Sequence, residues 1–232
     1  MSKSITPVSA STEIDAFIEK ARQPVPASRK QGRLMFALDA TASRHPTWDR
    51  ACDLQAEMFL ATRDKANLAV QLCYYRGYRE FHYSDWLTQT DQLLREMTSV
   101  TCLGGHTQIE RVLKHALRES RNAPINALVL VGDCCEESID PICQLAGELG
   151  LRGTPLFCFH EGEDPTGRLV FEQVARLSGG AFARFDLHSA ERLRELLGAA
   201  AVYATGGLSA LEQYSRGKGE SLKALTHQLR KG

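Results

Sequence analysis

Four absences narrow the problem before any motif is considered. Nowhere in the 232 residues is there an apolar run near the roughly 18 needed to cross a bilayer. The first 27 residues lack the apolar centre of a secretion signal, because Glu13, Asp15, Glu19 and Lys20 interrupt them. There is no excess of charge of either sign, with 28 Lys and Arg against 28 Asp and Glu, which argues against a dedicated nucleic-acid binder. The loop at 39–47 contains no glycine, so it cannot be the Gly-x-Gly-x-x-Gly turn of a Rossmann nucleotide site. Cysteine is present but odd in number, at seven, and Cys73 and Cys158 fall in apolar runs where a thiol serves as a small apolar group. A reducing, cytoplasmic setting follows as the expectation.

What is present is an ordinary globular composition, 43% hydrophobic and 24% charged, without internal repeats or low-complexity tracts. Residues 1–31 read as a leader with a short helix from Ser11 to Ala21, stopped by Pro24 and Pro26. Residues 32–205 alternate strand and helix signals. Strands are expected at Leu34–Leu38, Leu68–Tyr75, Ala127–Val131, Thr154–His160 and Ala181–Phe185, with Arg79–Tyr83 returning as a hairpin partner. Helices are expected at Trp48–Arg63, Trp86–Met97, Ile142–Leu149, Leu169–Leu177 and Ala190–Tyr203. Ile109, Val112, Leu113, Ala116 and Leu117, spaced by three and four, mark one more helix face. Residues 206–232 carry five Lys/Arg against two Glu, with Gly217 and Gly219 between them. They read as a basic tail, either flexible or docked as a terminal helix, with the flexible form preferred.

Strands apolar on both faces and alternating with helices imply an α/β fold: a doubly wound, mostly parallel sheet covered on both sides. Ligands of such sheets bind beyond the carboxyl ends of the strands, where strand order reverses. Asp39 ends the first sheet strand and Asp133 follows a strand expected beside it. Asp39-Ala-Thr41-Ala-Ser43 presents three oxygen side chains on one side if the loop stays extended. Thr107, after Gly104-Gly105, adds a hydroxyl at the mouth of another helix. Two carboxylates with hydroxyls suit a hard, near-octahedral ion, Mg²⁺ or Mn²⁺. Each piece alone is explained by helix capping or an ordinary loop; only their conjunction points to a metal.

The motifs Asp-x-Thr-x-Ser at 39–43, Thr107 with a helix behind it, and Asp133 after Val129-Leu-Val-Gly resemble the metal-ion-dependent adhesion site of a von Willebrand factor A domain. The similarity covers roughly residues 32–200. It departs from the usual pattern at Thr41 (commonly Ser), at His106 between the glycines and Thr107, and at Gly132-Asp133-Cys134 in place of Ser-Asp-Gly. The resemblance implies about six strands, a divalent cation, usually Mg²⁺, and an Asp or Glu from a partner protein completing the coordination. His45, His106 and Cys134 flank the set and are the candidates for touching that partner. No nucleic acid or membrane is expected as partner. No residue of the set is an evident nucleophile or general base, so binding rather than turnover is expected. Both aspartates are expected on the rim, replaceable by Ala without loss of the fold.

Other readings compete. Leu38-Asp39-Ala-Thr41 and Gly132-Asp133-Cys-Cys-Glu136 also resemble a haloacid-dehalogenase phosphohydrolase with Asp39 as nucleophile, but the acid/base Asp two residues later is Thr41. His45, His106, Cys134 and Cys135 make a poor zinc set, since adjacent cysteines chelate badly. The aromatics Tyr74, Tyr75, Tyr78, Phe81, Tyr83 and Trp86 are expected to pack core and hairpin rather than form a partner surface.

Overall fold

The computed structural model of the chain describes residues 31–44, 67–185 and 190–230. The expected helices at 11–21 and 48–63, and His45, lie outside them. Strand β1 (Gly32–Asp39) is central because nearly every residue in it is apolar and both neighbours are parallel strands, β2 (Leu68–Arg76) and β4 (Ala127–Gly132). Strand β3 (Glu80–Tyr83) returns antiparallel to β2, and β5 (Leu156–Glu161) and β6 (Ala181–Phe185) extend the other side, in the order β3-β2-β1-β4-β5-β6.

The period of two along each strand decides which layer a side chain joins. Leu34, Phe36 and Leu38 join Val129, Val131, Phe157 and Phe159 on one face, under helices α1 (Thr90–Thr98), α5 (Ala190–Ser215) and α6 (Glu220–Leu229). Met35 and Ala37 join Tyr75, Leu128, Leu130 and Cys158 on the other, under α2 (Ile109–Asn122), α3 (Ile139–Leu151) and α4 (Pro165–Leu177). The stripe anticipated for α2, Ile109, Val112, Leu113, Ala116 and Leu117, is the buried one. Each large side chain removed from water in these layers stabilises the fold by about 1.5–3 kcal/mol.

Two stretches differ from expectation. Residues 86–89 are not helical, and α1 starts at Thr90. Leu87 pairs with Val70 instead, each N–H donating to the other's carbonyl at 2.8 Å, because β3 is short and leaves that end of β2 unpaired. Residues 206–230 are docked rather than loose. Gly207, at φ 66°, breaks α5, and Leu211, Leu222, Leu225 and Leu229 enter the core face shared with α1. At the open edge of β6, the Gln228 amide takes the place of a neighbouring strand: the Phe182 N–H donates to its Oε1 at 2.8 Å and its Nε2 donates to the Phe182 carbonyl at 3.0 Å. No helix among the described residues is long and apolar enough to cross a membrane.

Candidate metal centre

Strand order reverses between β1 and β4, and both aspartates emerge there. Asp39 is the last residue of β1 and, far from lying on the rim, is fully buried between β2 and β4. The Tyr75 hydroxyl, in register on β2, donates to its Oδ2 at 3.1 Å, and the Thr41 N–H donates to Oδ1 at 2.8 Å. Burial, and after it the charge of Asp39, pushes the Tyr75 phenol well above its ordinary value, so it remains a donor. The following loop does not stay extended: Ala40 and Leu103 are bonded backbone to backbone, and a tight turn begins at Ala42. That turn still joins the two hydroxyls, Thr41 Oγ1 and Ser43 Oγ lying 3.0 Å apart, with Thr41 buried and Ser43 exposed.

Asp133 follows β4 and is half-buried, its backbone carbonyl 3.0 Å from His160 Nε2. One carboxylate oxygen each from Asp39 and Asp133 and the sulfur of Cys134 all lie within 4.8 Å of one another. The Cys134 thiol donates to Asp133 Oδ1 at 3.3 Å. Gly132 keeps this space open: a Cβ there would stand 3.4 Å from the Asp39 Cβ and 3.1 Å from the Phe171 ring. Two carboxylates from different strands, each with an oxygen within 4.8 Å of the other, suit a divalent cation, so the residues present fit one.

Thr107 is buried and joined to the loop after Asp133 in both directions. Its N–H donates to Glu136 Oε2 at 3.0 Å, and its hydroxyl accepts from the Glu136 N–H at 3.1 Å. The first turn of α2 is capped from outside by Glu137, whose carboxylate accepts from the Ile109 and Glu110 N–H groups. Burial raises the Glu137 carboxyl above its ordinary range, and those same bonds pull it back. Sequence reasoning missed Glu136 and Glu137; two adjacent carboxylates opposite an uncapped helix start were the available signal. Tyr75 was expected only as core.

Of the flanking candidates, His106 is 63% exposed, 3.4 Å from Glu136 and edge-on to the exposed Tyr78 ring. Cys135 is buried and turned to the Glu137 carbonyl, and the three described members of the zinc set, His106, Cys134 and Cys135, do not come together. The aromatics divide: Tyr75, Tyr74, Phe81 and Trp86 pack inward, whereas Tyr78 and Tyr83 are exposed. Beside the mouth of α2 lies a cavity of about 370 Å³ lined by Arg79, Gln108, Glu110, Arg111, Lys114 and Glu137.

No protein-family model and no curated protein sequence matches the chain. Solved structures do. A von Willebrand factor type A protein from Catenulispora acidiphila superposes with a TM-score of 0.58 at 16% identity, over 75% of this chain and 43% of that one. Proximal thread matrix protein 1 of the mussel byssus, with a zinc-occupied adhesion-site motif, gives 0.61 at 12%, over 75% and 46%. The manganese-loaded TRAP protein of Plasmodium vivax gives 0.55 at 16%, over 73% and 74%. The chain thus spans less than half the length of the first two. At these identities the likeness is one of fold: the described residues adopt the von Willebrand factor A fold.

Proposed function

We propose that this chain is a protein-binding domain that takes an acidic side chain of a partner through a divalent cation. Asp39 and Asp133 would supply the charge, Thr41, Ser43 and Thr107 the neutral oxygens, directly or through water. A partner Asp or Glu would fill the remaining position, exchanging a water for a charge-assisted bond. The observation that carries this reading is the approach of two carboxylates from separate strands at the reversal of strand order, beside a glycine that leaves them room.

The cavity at the mouth of α2 is lined by Arg79, Arg111 and Lys114 together with Glu137 and Glu110, the latter paired with Lys114, so an acidic partner would be met chiefly by Arg79 and Arg111. Exposed Tyr78 and His106 pack edge to face, and His106 directly precedes Thr107, so they would offer a partner an aromatic contact. Nothing in this arrangement requires turnover, and we take the domain to be a binder rather than an enzyme. Cys73, Cys134, Cys135, Cys143 and Cys158 are free thiols, which suits a reducing, cytoplasmic setting.

Because Asp39 is buried and holds two donors, Asp39→Asn is the cleaner substitution than Asp39→Ala. Calorimetric titration with Mg²⁺ and Mn²⁺ is expected to lose its signal in Asp39→Asn and Asp133→Ala, with circular dichroism unchanged. Affinity capture from lysate is expected to fall with chelator. Undiminished metal affinity in both variants sinks the proposal. Turnover of an aryl phosphate that needs Mg²⁺ and vanishes in Asp39→Asn would instead make Asp39 a nucleophile.

A further inference from the structure

Cys134 does more than border the centre. Its sulfur shares one small volume with a carboxylate oxygen from each aspartate. A tetrahedral zinc ion with Zn–S near 2.3 Å and Zn–O near 2.1 Å sets its sulfur and oxygen ligands about 3.6 Å apart. The Cys134 sulfur already stands 3.3 Å from Asp133 Oδ1, and with every pair of ligand atoms within 4.8 Å an ion could enter with shifts of up to about 1 Å.

The backbone that carries the sulfur is also held in place. The first turn of α4 presses on the Cys134 backbone, so closely that a Cβ at Gly167 would lie 2.9 Å from the Cys134 Cα. His160 Nε2 meets the carbonyl of the residue before it. Three fixed protein ligands and one open position is the arrangement of zinc sites that accept an outside ligand. Mg²⁺, by contrast, needs near-octahedral oxygen and gains little from sulfur.

We propose that Cys134 is a third metal ligand, and that the resulting two-oxygen, one-sulfur set takes Zn²⁺ in preference to Mg²⁺. This rests on the metal-centre reading above: it keeps the two aspartates and the open position for a partner, and puts the Cys134 sulfur in place of the neutral oxygens. As the sulfur–metal bond forms, the thiol proton passes to solvent, and the fourth position stays open for a partner carboxylate.

The test uses the full chain, reduced and stripped of metal, titrated with Co²⁺ as a spectroscopic stand-in for Zn²⁺. A sulfur-to-metal charge-transfer band is expected in the parent and in Cys135→Ser, and absent in Cys134→Ser and in Cys134→Ala. Competition titration is expected to show Zn²⁺ affinity falling in Cys134→Ser by more than the roughly 10–100-fold that loss of an outer-shell partner costs. Mg²⁺ affinity should change little, since the aspartates remain. Most oxygen sites favour Zn²⁺ over Mg²⁺ to some degree, so the drop on removing sulfur decides, not the parent's preference. A parent that binds the ions through Asp39 and Asp133 but shows no band, or keeps it in Cys134→Ser, overturns the role of Cys134 alone. A parent that binds no divalent ion overturns the metal centre and this inference together.

Discussion

Deleting one oxygen, in Tyr75→Phe, tests how the buried carboxylate of Asp39 is held. The ring of Tyr75 is fully buried, and phenylalanine fills nearly the same volume, so the cavity contribution is small. What is lost is the bond donated to Asp39 Oδ2 at 3.1 Å. A hydrogen bond to a charged group contributes about 1.5–3 kcal/mol, and more of that range applies where no water can replace the donor. For a domain of this size that corresponds to a fall in Tm of about 3–12 °C. Urea unfolding in chelator at neutral pH measures it. Because the hydroxyl also orients the carboxylate, metal affinity is expected to fall by roughly 10–100-fold. A double-mutant cycle with Asp39→Asn separates the bond from general packing: the cost of Tyr75→Phe should shrink when the carboxylate is gone. A variant within about 0.5 kcal/mol of the parent, the scatter of an ordinary surface substitution, with unchanged metal affinity, would refute the reasoning.

Three further outcomes are expected. In Gly105→Ala the new Cβ would lie 1.9 Å from the Gly77 carbonyl oxygen, so the two loops must part; a loss of about 1–3 kcal/mol and weaker metal binding should follow, and an unchanged Tm would contradict the close approach. Gln228→Ala leaves the Phe182 N–H and carbonyl to solvent, costing about 0.5–1.5 kcal/mol, and light scattering should detect self-association through the bared edge. Burial lowers the pKa of His115, whose Nε2 lies 3.0 Å from Gln71 Oε1. The folded state therefore binds fewer protons than the unfolded one, so stability present above about pH 6.5 is lost as pH falls. Urea midpoints between pH 7.5 and 5.5 should show the decline, and His115→Phe should reduce it, leaving the part due to His160, whose pKa burial lowers in the same direction.

How far the sequence reveals such a protein depends on whether a feature is local. Strand β1 and the stripe on α2 are legible because burial on two faces, or on one, writes a period into consecutive residues. The positions of Asp39 and Asp133 are legible for the same reason, since the end of an apolar run is a place on the sheet. Leu87 pairs with Val70 instead of starting a helix because β3 is short, a fact of neighbouring strands that no window around Leu87 contains. In the last segment Leu222, Leu225 and Leu229 carried the helical spacing, but its charges and glycines suggested a loose tail; apolar spacing was the better guide because those leucines had a core face to enter. The supports of the site, Tyr75 on one side and Glu136 and Glu137 on another, act across the register of two strands and across a loop and a helix. Cys134 belongs with them. Its neighbour in sequence is a metal-binding candidate by pattern, but whether its sulfur is one depends on Asp39, which only the pairing of β1 with β4 brings near. The motif therefore marks a place at the end of the sheet, while the pairing of β1 with β4 determines which side chains meet there.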